Sequence, residues 1–217
     1  MKKMIGFGVA AAMLALAAAH YLGRHWYYEY KRERAAAESL ERSFPELERN
    51  LKRAAALSKN PLFFKELGRL YLEMALGENE FGTAAGRDAF CDLAREKLEN
   101  SIRANPVDGS AYFEMGKVYL LYNFPLLTYA EKGRVYLRRA LELKPADEFL
   151  SLNILYIFLT QWDLLAKEEK EFTGGRLNEQ AAANESFMDR LRRRWGENFG
   201  TAAGLEPILR AIGHSLD

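Results

Sequence analysis

Cysteine occurs once in the 217 residues, as Cys91, so no disulfide can form within the chain and any fold must rest on its core. That thiol falls in an apolar helical pattern, where a small buried side chain is expected. Histidine is nearly as scarce: His20, His25 and His214 are all there are, and none stands at helical spacing with a carboxylate or the cysteine. Neither a metal centre nor a nucleophile–base pair can be drawn from them. No cofactor or metal is therefore expected, and the chain does not read as an enzyme. Alternating runs of Val, Ile and Thr bounded by turn pairs, the usual strand signal, are missing. A large charge of one sign is missing too: the formal net charge is +1, which offers no field to gather nucleic acid. The densest basic run, Arg190, Arg192, Arg193 and Arg194, is flanked by Asp189 and Glu197 and has no interleaved aromatics. It reads as a solvated helix face.

What is present favours helix. Ala, Leu, Glu, Arg and Lys dominate, prolines number six, and 49% of residues are hydrophobic. The expected class is all-α, with room for one cored domain and an accessory segment.

The N-terminus opens with Lys2 and Lys3, then an uncharged stretch from Met4 to Leu22 rich in Ala, Leu, Met and Gly. Its length is close to what a helix needs to span a bilayer. One reading is a cleaved signal peptide with Ala17-Ala18-Ala19 as its small-residue site. The other is an uncleaved single-pass anchor, with Tyr21, Trp26, Tyr27, Tyr28 and Tyr30 as an interfacial belt and Lys31, Arg32 and Arg34 reaching headgroups. The aromatic cluster favours the anchor. The bulk of the chain would then lie on the periplasmic or extracytoplasmic side.

Further on, Tyr28 to Phe44 reads as a charged helix, Pro45 marks a new start at Glu46, and Asn60-Pro61 is a turn opening the next helix. Phe64, Leu67, Gly68 and Tyr71 share one helical face, and Tyr112, Met115, Gly116 and Tyr119 repeat that spacing. A glycine inside a helix costs about 1 kcal/mol against alanine, so two at matching places imply close helix approach. Each helix is followed by a second. The offsets Ala94, Leu98, Ser101, Pro106 match those of Gly133, Leu137, Ala140, Pro145.

These residues resemble the tetratricopeptide repeat: an aromatic, a large apolar residue followed by Gly, then Tyr in helix A, small residues in helix B, and a closing Pro. The resemblance is degenerate and covers about two repeats over residues 61–145. Gly68 and Gly116 lie 48 residues apart, whereas the family repeat is about 34. It implies that the A helices line a concave groove that takes a peptide or another helix. Counted from the family pattern, the inward positions are Lys65, Arg69 and Leu72 on the first A helix, and Phe113, Lys117 and Leu120 on the second. Such a surface, basic with apolar patches, suits a protein or peptide partner, an acidic one among them, or a C-terminal carboxylate.

Residues 148–162 form another apolar helix, Gly174-Gly175 reads as a break, Asn184 as an N-cap, and a last helix is expected from about Thr201 to Ile212. The hexapeptide Phe81–Gly86 recurs unchanged as Phe199–Gly204, and Thr83 and Thr201 are candidate helix N-caps. The expected architecture is thus an anchor or signal over 1–22, charged helices over 23–60, a repeat domain over 61–165 and a helical cap over 166–217. Its expected role is a membrane-tethered scaffold or adaptor in a cell-envelope assembly. The alternative is an accessory or regulatory subunit of a membrane enzyme, or of a polysaccharide or secretion complex, binding through the Met4–Leu22 span.

Overall fold

A computed structural model describes residues 2–77, 84–122, 124, 126–201 and 204–213, with side chains described from Ala12 onward, Ala84 excepted. Among these residues there are ten α-helices and no strand. They are α1 (Lys2–Ala36), α2 (Leu40–Ser58), α3 (Pro61–Leu76), α4 (Ala84–Ala104), α5 (Gly109–Leu121), α6 (Ala130–Leu143), α7 (Glu148–Thr160), α8 (Lys167–Ala183), α9 (Ser186–Phe199) and α10 (Glu206–Ile212). The chain divides into two compact units, Met1–Tyr136 and Leu137–Asp217.

The first unit is built of antiparallel helix pairs. In α3/α4, the Ser101 hydroxyl donates to the Pro61 carbonyl at 2.9 Å near the open end, while Tyr71 meets Phe90 near the turn. Between them, a Cβ on Gly68 would lie 2.7 Å from Leu98 Cγ and 3.1 Å from the Ala94 carbonyl. In α5/α6, a Cβ on Gly133 would lie 3.0 Å from the Gly116 carbonyl. The repeated glycine thus faces the small residue of its partner helix, as close approach requires. A third pair has the same contact: a Cβ on Gly23 of α1 would meet the Ala54 carbonyl at 3.3 Å and Ser58 Cβ at 3.0 Å. The core of these pairs gathers Leu47, Leu51, Leu67, Tyr71, Leu98 and Met115, all but sealed from solvent.

Local chemistry sets most boundaries. Asn60 accepts from the Leu62 amide at 3.0 Å, with Pro61 in the first turn of α3. Asp108 accepts from the Ser110 amide at 3.1 Å and Asp147 from the Leu150 amide at 3.1 Å, opening α5 and α7. α4 and α6 stop before Asn105-Pro106 and Lys144-Pro145 as the sequence indicates.

Pro45 does not start a helix. α2 begins at Leu40 and carries Pro45 inside it, because Leu40 and Phe44 are anchored on the core, where Phe44 meets Tyr71 and Phe90 at 6.1 and 5.8 Å. That burial outweighs the hydrogen bond a proline removes.

The N-terminal anchor is corrected by the structure. Among the described residues no helix is long and apolar enough to cross a membrane. From Ala12 to Leu22 the side chains include five alanines, a histidine and a tyrosine, and alanine contributes little to transfer into hydrocarbon. The segment is not a separate span but the first part of α1, which runs unbroken to Ala36. Three of the five aromatics expected at a lipid interface serve the fold, while Tyr21 and Tyr28 are exposed. Tyr30 is 5% exposed, Tyr27 meets Phe63 at 5.0 Å, and Trp26 lies under the Arg53 guanidinium at 4.4 Å. The expected single-pass membrane location, with the bulk of the chain outside the cytoplasm, rested on that span and falls with it. Side chains of residues 4–11 lie outside the described residues.

The second unit centres on Ile154, Leu155, Phe158, Leu177, Leu191 and Leu209, all buried. α8 runs straight through Gly174-Gly175. A Cβ on Gly174 would lie 3.1 Å from Ile212 Cγ2, so this glycine makes room for a neighbour and breaks nothing. The N-cap of α9 is Glu185, one residue after the Asn184 the sequence indicates, though the Asn184 carboxamide accepts from the Ser186 amide at 3.0 Å. Thr201 caps no helix: α9 closes at Gly200 in the left-handed region (φ 74°) and α10 starts only at Glu206. Thr83 lies outside the described residues, as does His214.

Candidate functional site

The six residues inferred for the groove have distinct fates. Leu72 and Phe113 are buried. Leu120 is half-buried and lies against Gly133, with Cγ 3.1 Å from where a Cβ would stand. Lys65 pairs with Asp108 at 2.7 Å, Arg69 with Glu73 at 3.2 Å, and Lys117 with Glu114 at 2.5 Å. Lys117 also sits over the Phe113 ring at 4.8 Å. α1 reaches the same strip: Arg34 pairs with Glu73 at 2.6 Å and the Tyr30 hydroxyl donates to Glu66 at 3.4 Å. Burial works against the Arg69 charge, but Glu73, Glu114 and Glu66 outweigh it and raise its pKa. Four cations (Arg34, Lys65, Arg69, Lys117) thus stand among four carboxylates (Glu66, Glu73, Asp108, Glu114). The strip is balanced in charge: the inward positions of the A helices are basic by themselves, and carboxylates stand beside them.

The basic run on α9 is engaged in the same way. Arg190 pairs with Glu148, Arg192 lies 3.7 Å from Glu206, and Arg194 donates to Asn153 at 2.7 Å while covering Tyr156 at 4.7 Å.

A different feature stands out on α5, α6 and the turn between them. Five tyrosines form a continuous chain of ring contacts. Tyr112 meets Tyr136 at 6.1 Å, and Tyr136 stacks on Tyr119 at 5.4 Å with 18° between planes. Tyr119 meets Tyr129 at 6.4 Å, and Tyr129 meets Tyr122 edge-on at 5.6 Å. Lys132 lies over Tyr119 at 4.3 Å, and the Tyr122 hydroxyl donates to Asp92. Burial, then the Asp92 bond and charge, raise the Tyr122 pKa, which keeps the phenol protonated and donating.

Beside this ladder, Phe124 is 49% exposed, Leu126 79% and Tyr129 42%. Arg87 fixes Phe124 by donating to its carbonyl at 3.1 Å and covering its ring. Leu127 holds φ 51°, a left-handed conformation uncommon for a leucine. The aromatic spacing Tyr112–Tyr119 marks this face in the sequence only as core. Its exposure comes from the turn between α5 and α6, which has no periodic signal.

A second concavity lies between α2, α3 and α4. It is a cleft of about 290 Å³ lined by Lys52, Ala55, Ala56, Lys59, Phe64, Leu67 and Lys97. Among the described residues no group of three or more His, Cys, Asp or Glu side chains is placed to hold a metal ion. Cys91 is fully buried, and burial pushes its thiol up to about 12, far from a reactive thiolate. No protein-family model, no curated protein and no solved structure matches this chain.

Proposed function

We propose that the protein is a helical-hairpin scaffold that binds another protein, and that the tyrosine face of α5, α6 and the turn between them is its docking surface. The observation that carries this reading is the five-ring ladder, exposed at Tyr129 and continued by exposed Phe124 and Leu126. Tyrosines held rigid by mutual stacking supply large contact area at little entropic loss, and aromatics are enriched at interface hot spots. Apolar side chains gathered on a turn, next to a strained Leu127, have no folding role that would place them in solvent.

The three glycine-to-small-residue contacts support reading the pairs α1/α2, α3/α4 and α5/α6 as tetratricopeptide-like repeats, worn in sequence and alike in contact. In this reading the protein works by binding and carries no catalytic centre. The balanced strip of Lys65, Arg69 and Lys117 serves packing between A helices.

The test is chemical crosslinking of the tagged full-length chain, in wild type, in Leu126→Asp/Tyr129→Asp, and in Lys65→Glu/Arg69→Glu/Lys117→Glu. A defined protein captured by wild type and lost only with the first variant supports the tyrosine face. Loss only with the second variant transfers docking to the strip and overturns the proposed surface. Capture unchanged by both overturns both.

A further inference from the structure

The cleft between α2, α3 and α4 has an internal counterpart. Ala54 faces Gly23, Ala94 faces Gly68, and Gly133 faces Gly116, which sets the helix pairs in register. In that register, Lys52, Ala55, Ala56 and Lys59 of α2 correspond to Asp92, Arg95, Glu96 and Glu99 of α4. Phe64 and Leu67 of α3 correspond to Tyr112 and Met115 of α5, and Lys97 of α4 to Tyr136 of α6. The second position is occupied by protein: Tyr136 stacks on Tyr119 and meets Tyr112. The first has alanines where the second has Arg95 and Glu96, and the cleft of about 290 Å³ is the space they leave. Its charge is also inverted. Three lysines replace an aspartate, a glutamate and a tyrosine.

Two of these lysines have partners on their own helices, Lys52 with Glu48 at 2.9 Å and Lys97 with Glu96 at 2.6 Å. Lys59 is exposed and holds φ 47°, a left-handed conformation, at the C-terminal end of α2. Glycine is the residue this position would ordinarily take. A lysine there accepts backbone strain, and the residue lines the cleft.

We propose that this cleft is a binding site for a carboxylate bearing a short apolar chain, either a free fatty acid or the C-terminal residue of a peptide. The apolar chain lies on Ala55, Ala56, Phe64 and Leu67. The carboxylate is held by Lys59, with Lys97 and Lys52 at the rim. A volume near the small end of ligand pockets suits one short chain and excludes a drug-sized or nucleotide ligand. The site stands independently of the tyrosine face.

Titration calorimetry on the full-length chain with octanoate, octanol and the dipeptide acetyl-Ala-Leu tests it. The expected result is saturable binding of octanoate or of the dipeptide, with octanol at least tenfold weaker. The tighter of the two carboxylates names the source. Lys59→Gly should weaken that binding at least fivefold while raising Tm, since the strained φ is relieved. Ala56→Phe, checked for an unchanged helical circular dichroism spectrum, should abolish it. Octanol binding as tightly as octanoate overturns the proposal. So does binding unchanged in Lys59→Gly and Ala56→Phe, or no binding of either carboxylate at millimolar concentration.

Discussion

Three of the glycines separate close packing from mere presence in a helix. A Cβ on Gly68 would lie inside contact distance of Leu98 Cγ and against the Ala94 carbonyl, neither of which can swing away as a chain end could. Gly68→Ala should therefore destabilise by about 1–3 kcal/mol through overpacking, despite alanine's better helix propensity. Gly175 and Gly196 have nothing within 4 Å of a Cβ. Gly175→Ala should stabilise by about 0.5–1 kcal/mol, and urea titration of the two variants against wild type checks both signs. Cys91 belongs to the same scale. Buried and with its thiol pushed up to about 12, it should resist iodoacetamide at pH 8 in the native protein and react only once urea unfolds the chain. Rapid native labelling would contradict that burial.

Among the elements, α1 departs furthest from the sequence expectation. Its Trp26, Tyr27 and Tyr30 face α2 and α3, with Arg53 over Trp26 and Phe63 against Tyr27. Replacing Tyr27 and Tyr30 together by Ser should cost on the order of 3–5 kcal/mol, because large buried aromatics are lost. Thermal melts of the variant should fall accordingly. An interfacial belt would predict no change in Tm in detergent-free buffer. The strip between α3 and α5 is also a matter of elements. Lys65 faces Asp108 from a different helix, so Lys65→Glu sets two carboxylates together and should lower Tm further than Lys65→Met, which only removes the pair.

At the scale of the whole molecule, ionisation links many sites to one transition. Burial raises the Tyr30 and Tyr71 pKa values above the usual phenol range, and for Tyr71 a hydrogen bond to Glu48 adds to it. Cys91 shifts the same way. All three bind their protons more tightly when folded, so the stability they contribute is complete below their unfolded values and is lost as pH rises towards the folded ones. For Cys91 the loss starts near pH 9 and for the tyrosines near pH 10, at about 1.4 kcal/mol per pH unit per group. Stability should therefore fall steeply between pH 9 and 12. Part of the tyrosinate absorbance at 295 nm should lag free tyrosine and rise only together with loss of helical circular dichroism. The full absorbance of the eleven tyrosines reached with the helices intact would contradict the burial of Tyr30 and Tyr71.

Much of this architecture is legible in the chain itself, since helix starts and stops are decided within a few residues. Asn60-Pro61, Asp108 and Asp147 open helices by accepting the first-turn amides, and Asn105-Pro106 and Lys144-Pro145 close them. The matching positions of Gly68 and Gly116 carry the same information, because only close helix contact offsets their propensity cost. Long-range contact decided the rest. Pro45 stays inside α2 because Phe44 is anchored on Tyr71 and Phe90. α8 runs through two glycines because one of them receives Ile212. Gly86, in the first hexapeptide, lies in a helix, while its counterpart Gly204 lies in a turn beside Trp195. By themselves, the N-terminal aromatics and the groove lysines show only what a helix face could present to solvent or lipid. Only the neighbouring helices show that Tyr27 and Tyr30 pack on the fold and that Lys65, Arg69 and Lys117 have carboxylate partners, while alanines one turn from a strained lysine leave a cleft open.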